Sequence, residues 1–213
     1  MKPLDLPRME RINLLPELAS AVEVIRKQDI SEARKAVLVP LISYIQSKLD
    51  MGHEVCLNFI CTHNSRRSQF SQIWAQTAAQ YFGIPARCFS GGVEITAFND
   101  RAVASLKRSG FIITSSQGEN PKYTISCAED VELVTAFSKL FDDSVNEAEQ
   151  FAAVMTCSHA DENCPVIPGT EKRIAVRYED PKAFDDTSEE ADRYDERSLQ
   201  IAAEMFYVFS KIQ

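Results

Sequence analysis

Hydrophobic and polar positions follow two different patterns on either side of residue 52. Before it, apolar side chains recur at intervals of three and four residues, which predicts one helix from about Pro16 to Lys27 and a second after the capping residue Ser31. The apolar face of the second helix has to be buried against the rest of the chain or against a second copy. We therefore predict a helical extension over residues 1–52 that either packs onto the main domain or forms a homodimer.

After this extension, short apolar runs alternate with helical patterns. The apolar runs predict strands over residues 55–60, 86–90, 151–156 and 174–178. The patterns between them predict helices over residues 68–82, 99–109 and 188–211. Such alternation is typical of an α/β domain, here over residues 53–213, with an open, mainly parallel four-stranded sheet and helices on both faces. Two further apolar runs flank a polar turn and predict a β-hairpin inserted at about residues 121–140.

Composition is that of a globular protein and argues against two classes of partner. Of the 213 residues, 45% are hydrophobic and 25% are charged, which is ordinary for a domain with a proper core. The excess of 31 acidic over 23 basic residues argues against a nucleic-acid partner. No apolar run reaches the roughly 18 residues that a membrane helix needs, and the charged, proline-containing start is unlike a signal peptide. We therefore expect a cytoplasmic protein that binds neither nucleic acid nor membranes.

The six cysteines would then lie in a reducing compartment. There, cysteines are more often buried, catalytic or redox-active than joined in structural disulfides. The chain has no Cys-x2-Cys pair, and its three histidines are scattered. We therefore predict no metal site and look for chemistry at individual thiols.

The segment Cys-Thr-His-Asn-Ser-Arg-Arg-Ser begins at Cys61, where a predicted strand ends and a helix begins. The unpaired N–H groups and the positive dipole of a helix N-terminus favour a thiolate there, and they also bind a tetrahedral oxyanion. Arg67 can hold two oxygens of that anion, Ser68 can hydrogen-bond the thiolate, and Asn64 tolerates a left-handed backbone. The predicted oxyanion-binding residues are Thr62, His63, Asn64, Ser65, Arg66 and Arg67.

These residues resemble the Cys-x-x-Asn-x-x-Arg-Ser phosphate loop of the low-molecular-weight protein tyrosine phosphatases and of the arsenate reductases that share their fold. The resemblance covers residues 54–213 and leaves the N-terminal helices outside it. It implies a low-molecular-weight phosphatase-like fold with Cys61 as the nucleophile. His63 and Arg66 differ from the commonest form of the loop.

A second pair of thiols lies downstream, where Cys157 follows a predicted strand and Cys164 comes seven residues later. On a helix the two Cα atoms would be about 10 Å apart, whereas a disulfide needs less than about 7 Å, so the segment would have to unwind before they could bond. By spacing alone, two ordinary buried cysteines are the stronger interpretation. The gap, followed by Pro165, resembles the resolving cysteine pair of thioredoxin-coupled arsenate reductases, and that resemblance favours a redox pair.

A carboxylate belongs to the same predicted edge of the sheet. Asp180, followed by proline, lies after the last predicted strand, and the carboxyl ends of parallel strands share one rim. We therefore expect Asp180 to lie near Cys61 and Cys157. The resemblance implies that Asp180 is the general acid of an Asp-Pro loop. Tyrosine phosphatases of the family usually carry tyrosines after this pair, whereas Lys-Ala-Phe follows here, which argues against a phosphotyrosine substrate.

Three functions remain open from the sequence. The leading hypothesis is an arsenate reductase that works through a Cys61, Cys157 and Cys164 thiol relay, with no metal or organic cofactor and with electrons from thioredoxin or another thiol donor. The alternative is a low-molecular-weight phosphatase that hydrolyses phosphotyrosine or small phosphomonoesters through a phosphocysteine, with Asp180 protonating the leaving group. The third is a non-enzymatic thiol redox sensor, which would leave Arg67 without a role.

Overall fold

The computed structural model describes residues 12–129, 131–146, 149–163 and 166–213. Its centre is a four-stranded parallel sheet, as predicted, whose strands are β1 (Val55–Cys61), β2 (Ala86–Gly92), β6 (Phe151–Met155) and β7 (Thr170–Ala175). The strand order is β2-β1-β6-β7, so β1 and β6 are central. The carboxyl ends of these two strands therefore lie side by side.

Helices cover both faces of this sheet, in agreement with the prediction. They are α1 (Pro16–Ile25), α2 (Glu32–Asp50), α3 (Arg67–Phe82), α4 (Asp100–Arg108), α5 (Ser158–Asn163) and α6 (Glu190–Ser210). On one face Leu57 and Phe59 of β1 enter the large core with α3 and α6. On the other face Ile60 packs in a smaller core with Ala160 of α5. Local signals set the ends: Ser31 caps α2, and Gly83, with φ of 68°, ends α3.

The predicted hairpin is part of a three-stranded antiparallel sheet. Its strands are β3 (Ile112–Ser115), β4 (Tyr123–Ala128) and β5 (Val131–Ala136), in the order β3-β4-β5. Strands β4 and β5 confirm the hairpin, whereas β3 was not predicted. Alternate residues of β4, including Ile125 and Cys127, are fully buried in the large core. This second sheet is therefore packed onto the main domain.

The prediction of a last strand over residues 174–178 is wrong in its bounds, since β7 spans Thr170–Ala175. The apolar run suggested it, but β7 is an edge strand whose extent is set by pairing with β6, from Phe151 opposite Thr170 to Met155 opposite Ala175. Beyond the strand, the chain still donates from Tyr178 N to the carbonyl oxygen of Thr156, at 3.1 Å. The segment before Asp180 therefore remains alongside the end of β6.

The N-terminal helices pack onto the rest of the same chain. Leu18 of α1 and Leu41 and Ile45 of α2 are fully buried in the large core. The backbone N–H of Leu15 donates to the carbonyl oxygen of Cys127 at 2.9 Å. The extension thus buries its apolar face within one chain. In the described part of the chain, no helix is long and apolar enough to cross a membrane.

Candidate active site

Cys61 ends β1 and lies at the bottom of the loop that leads into α3. The cysteine is 3% exposed, and its Sγ atom lies 3.1 Å from the hydroxyl oxygen of Ser68. That oxygen also accepts a hydrogen bond of 2.9 Å from Asn64 Nδ2. Because a hydroxyl has one hydrogen, the Asn64 bond leaves the Ser68 hydrogen free to point at the Cys61 sulfur. The geometry therefore suits a Cys61 thiolate.

Asn64 holds the loop in its curved shape. Its φ is 48°, a left-handed conformation that asparagine tolerates better than most residues. Its Oδ1 atom accepts from the backbone N–H of Lys139 at 3.1 Å, and its carbonyl oxygen accepts from Gln69 Nε2 at 3.0 Å. Both polar atoms of this fully buried side chain are therefore hydrogen-bonded, which fixes the shape of the loop.

The end of β2 supports the loop from the side. The backbone N–H groups of Val93 and Glu94 both donate to the carbonyl oxygen of Thr62, each at 2.9 Å. A Cβ atom on Gly92 would lie 2.8 Å from both Asn64 N and this carbonyl oxygen, closer than van der Waals contact allows. Glycine at this position therefore permits β2 and the loop to approach each other.

Arg67 begins α3 and points toward the segment after β7. Its Nη2 atom lies 2.7 Å from Asp180 Oδ2, and its Nη1 atom donates to the carbonyl oxygen of Tyr178 at 3.1 Å. The second carboxylate oxygen, Asp180 Oδ1, accepts from the backbone N–H of Lys182 at 3.1 Å. The structure thus brings the predicted guanidinium and the predicted acid together at the rim of the predicted oxyanion loop, which is residues 61–67.

A second buried thiol touches the same loop. Cys157 is 1% exposed, and its Sγ atom lies 3.5 Å from the hydroxyl oxygen of Thr62. The sulfur also accepts a hydrogen bond of 3.4 Å from the backbone N–H of Ala160, in the first turn of α5. The same Thr62 hydroxyl lies 3.2 Å from His159 Nδ1. Cys164, the third predicted thiol, lies outside the described residues.

The remaining side chains of the loop bind neighbouring protein groups. His63 pairs with Glu94 at 3.2 Å, and the Ser65 hydroxyl donates to the Ala97 carbonyl oxygen at 2.6 Å. The Arg66 side chain turns toward α6: Nε donates to the Tyr194 hydroxyl at 2.8 Å, and Nη2 lies 3.5 Å from an oxygen of Asp185. The side chains of these three residues are thus occupied, and their predicted role in oxyanion binding would fall to their backbone N–H groups.

Tyr194, which contacts both Asp185 and Arg66, is a site neighbour that sequence reasoning missed. The Tyr194 hydroxyl donates to Asp185 Oδ1 at 2.7 Å, and burial together with this carboxylate raises the pKa of Tyr194 well above its usual range. Tyr194 therefore stays protonated and holds Arg66. No local motif marks the contact between Arg66 and Tyr194, because these two residues are 128 positions apart.

The other described cysteines lie in the core, away from the loop. Cys88 and Cys127 are at most 3% exposed, and burial raises the pKa of Cys127 to about 11 and that of Cys88 further. These thiols stay protonated at neutral pH. Among residues in the described ranges, no group of three or more histidine, cysteine or carboxylate side chains could hold a metal ion.

Comparisons with known proteins identify relatives of this chain. No family model matches it. It is 30% identical over 131 residues to an arsenate reductase of Brevibacillus brevis, which covers 62% of this chain and 80% of the relative. An arsenate reductase of Bacillus subtilis is 30% identical over 133 residues, which covers 62% of this chain and 78% of the relative.

A low-molecular-weight phosphotyrosine phosphatase from Vibrio cholerae aligns with a TM-score of 0.48 and 13% identity over 73% of this chain and 94% of its own. The two arsenate reductases are more similar in sequence to this chain, at 30% identity, and each is covered over more than three quarters of its length. The chain belongs to the arsenate reductase family.

Proposed function

We propose that this protein reduces arsenate to arsenite through Cys61, Cys157 and Cys164. Arsenate would bind in the loop after β1, held by backbone N–H groups and by the Arg67 guanidinium. Since Arg67 pairs with Asp180 in the free protein, the bound oxyanion would share the guanidinium with that carboxylate. The relatives named above are arsenate reductases, and this supports the choice of oxyanion.

In the first step, the Cys61 thiolate attacks arsenic and a hydroxyl group leaves. Asp180 in its protonated form gives this hydroxyl the proton with which it departs as water, and Asp180 is left as a carboxylate. The product is an arsenic(V) thiolate ester on Cys61, and no electrons have yet been transferred. Ser68, at 3.1 Å from the Cys61 sulfur, stabilises the thiolate before attack.

In the second step, the Cys157 thiolate attacks the sulfur of Cys61. A sulfur–sulfur bond forms, the sulfur–arsenic bond breaks, and its electron pair stays on arsenic, which leaves as arsenite. Cys164 then attacks Cys157 and releases the Cys61 thiolate. The resulting Cys157–Cys164 disulfide would be reduced by an external dithiol of the thioredoxin type.

The observation that carries this proposal is the position of Cys157. A phosphatase needs a nucleophile, an oxyanion cradle and an acid, and it has no use for a second thiol. Here a buried second thiol lies 3.5 Å from the hydroxyl of Thr62, the residue that follows the nucleophile. A short helix, α5, begins directly after Cys157 and separates it from Cys164, so unwinding of this one element would let the two thiols meet.

The decisive experiment is a Cys164→Ser substitution. With excess arsenate and a thioredoxin system, the variant should release about one arsenite per chain and then stop with a Cys61–Cys157 disulfide, whereas the wild type should continue. Arsenite is measured over time and the disulfide by peptide mass spectrometry. Cys127→Ser is the matched control, because Cys127 is buried in β4 far from the loop. Sustained turnover in the Cys164→Ser variant would refute the relay.

A phosphatase is the second candidate, and the contact between Asp180 and Arg67 favours it. A carboxyl group 2.7 Å from the oxyanion-binding guanidinium is well placed to protonate an ester oxygen. A phosphatase would hydrolyse p-nitrophenyl phosphate equally well after Cys157→Ser and Cys164→Ser replacement. Fast hydrolysis in that double variant, together with no arsenite release by the wild type, would establish this function instead.

A further inference from the structure

A cavity lies at the outer edge of the parallel sheet. Its volume is about 480 Å³, and its walls come from β2, α3, β5 and the segment after β5. Its lining includes Gln72, Gln76, Phe89, Leu133, Lys139 and Asn146. Cys61 and Cys157 do not line it. It is therefore separate from the oxyanion loop.

Lys139 is the unusual residue of this cavity. The side chain is 2% exposed, and Nζ has no hydrogen-bond partner within the described part of the chain. A cation–π contact offsets the missing hydrogen bonds only weakly: Nζ lies 5.0 Å from the centre of the Phe137 ring. Burial lowers the pKa of Lys139 to about 8, and Asp143 opposes this only in part. An ammonium group with unused donors is thus held in a place where water is largely excluded.

The backbone of Lys139 keeps the side chain there. Its N–H donates to Asn64 Oδ1 at 3.1 Å, and its carbonyl oxygen accepts from Gly92 N at 2.8 Å. Moving the ammonium group to solvent by a backbone shift would break both bonds and disturb the oxyanion loop. The free protein therefore carries the free-energy cost of a buried ammonium group without hydrogen-bond partners. An anion bound in the cavity would remove that cost.

The other walls define what kind of anion fits. Phe89 and Leu133 supply apolar surface, while the amide nitrogens of Gln72 and Gln76 are already bonded to backbone carbonyls. Asn146 Oδ1 lacks a donor in the described chain. Among the described lining residues none is Asp or Glu, although the chain carries a net charge of −8. The lining thus combines a buried cation with apolar surface.

We propose that this cavity is a binding site for a small organic carboxylate. The carboxylate would accept hydrogen bonds from Lys139 Nζ, and the apolar body of the ligand would lie against Phe89 and Leu133. The assignment of this site does not depend on the arsenate chemistry proposed for the oxyanion loop. Either assignment can fail without the other.

Benzoate is a suitable probe, because it joins one carboxylate to a compact apolar ring. The full-length, ¹⁵N-labelled protein is titrated with benzoate while saturating inorganic phosphate occupies the oxyanion loop. We expect saturable shifts of the backbone amides of Cys88, Val134 and Lys139. Lys139→Met should weaken binding at least about 10-fold, which corresponds to the loss of one charge-assisted contact. Neutral benzamide should bind the wild type at least about 10-fold more weakly than benzoate.

Lys122→Met is the matched control. Lys122 also lies with Nζ 5.0 Å from the Phe137 ring, but it is exposed and does not line the cavity, so its replacement should leave benzoate binding unchanged. Absence of saturable binding, equal affinity for benzamide, or full affinity in the Lys139→Met variant would overturn the proposal. If that variant does not fold, the wild type gives the answer: bound benzoate should raise the pKa of Lys139, followed by its ε-carbon NMR shift, and an unchanged pKa would overturn the site.

Discussion

Thr62 is the residue at which the oxyanion loop and the second thiol meet. Its hydroxyl oxygen lies 3.5 Å from Cys157 Sγ and 3.2 Å from His159 Nδ1. A hydroxyl has one hydrogen, so it donates to one of these neighbours at a time. A Cys157 thiolate has no hydrogen to give, so in the attacking state Thr62 must be the donor. In the proposed relay, the side chain of Thr62 would therefore act in the second step and its backbone N–H in the first.

Thr62→Val tests this division of roles. The variant keeps a branched side chain and the backbone N–H but loses the hydroxyl, so formation of the Cys61–Cys157 disulfide should slow about 10-fold, as expected for a lost hydrogen bond of roughly 1.4 kcal/mol. Rapid quenching with an alkylating reagent after mixing with arsenate, followed by mass spectrometry, measures that rate. Phosphate affinity should be unchanged. Thr62→Ser retains the hydroxyl and should recover the rate; equal rates for Val and Ser would contradict the assignment.

Contacts within the loop could be predicted from the sequence, but its distant partners could not. The spacing of Cys61, Asn64 and Ser68 was enough to expect a left-handed asparagine and a serine beside the thiol, since these residues are joined by one short turn. Lys139, which supports Asn64 from 75 positions away, carries no such local signal. Lys139 reaches this position because the chain after β5 runs back along the end of β2.

Arg34 makes the N-terminal extension a structural part of the main domain. It forms a bidentate pair with Glu204 of α6, with distances of 2.8 and 2.7 Å, although Glu204 is only 2% exposed. It also donates to the Arg177 carbonyl oxygen and lies 5.2 Å from the centre of the Tyr178 ring. The carbonyl oxygen of Tyr178 in turn accepts from Arg67. Helix α2 thus supports the segment that contacts Arg67.

Arg34→Met should destabilise the protein by about 3 kcal/mol, because it leaves the buried Glu204 carboxylate without its cation. Urea denaturation at neutral pH measures the free energy of unfolding. Adding Glu204→Gln should recover most of the loss, since no charge then remains unpaired. Lys35→Met is the control on the same helix: its partner Glu32 is 88% exposed, so the change in the free energy of unfolding should be much smaller than for Arg34→Met. Equal losses for Arg34→Met and Lys35→Met would rule out the supporting role.

Helices were easier to predict from the sequence than the edges of sheets. Helix α3 was expected over residues 68–82 and is found over Arg67–Phe82, because a glycine and a helix-starting loop mark its ends. Strand β7 was placed too late along the chain, and β3 was missed. Both are edge strands with mostly exposed or half-exposed residues, so apolar content does not mark them. Pairing with a neighbouring strand decides where such strands begin and end.

At the scale of the whole molecule, the two sheets are joined where the chain leaves β5 and returns to β2. Gly92 N donates to the Lys139 carbonyl oxygen at 2.8 Å, and the Gly92 carbonyl oxygen accepts from Phe141 N at 3.0 Å. A Cβ atom on Gly91 would lie 2.2 Å from the Cα of Phe141, so this approach also requires glycine. The tight junction carries Lys139 into the interior. The stability of the fold should therefore depend on the protonation state of one lysine.

Folding lowers the pKa of Lys139, and this determines whether stability rises or falls with pH. The pKa of Lys139 falls from 10.5 in the unfolded chain to about 8 in the folded protein. Between these values the unfolded state binds more protons, so stability rises with pH there, and below pH 8 the folded state carries the full penalty. A shift of this size corresponds to roughly 3 kcal/mol. Lys139→Met should therefore raise the free energy of unfolding at pH 7, and the gain should shrink to near zero between pH 8 and 10.5.

Urea titrations of the wild type and the Lys139→Met variant from pH 6.5 to 10.5, in buffers free of carboxylates, measure the difference in their free energies of unfolding. Cys88 and Cys127, whose pKa values burial raises, lower the stability of both proteins above about pH 9, and they cancel when one is subtracted from the other. Lys122→Met, at an exposed lysine beside the same Phe137 ring, should give a difference near zero at every pH. A gain for Lys139→Met that stays constant with pH would mean that methionine packs better, and that the lysine is not held as an unpaired cation.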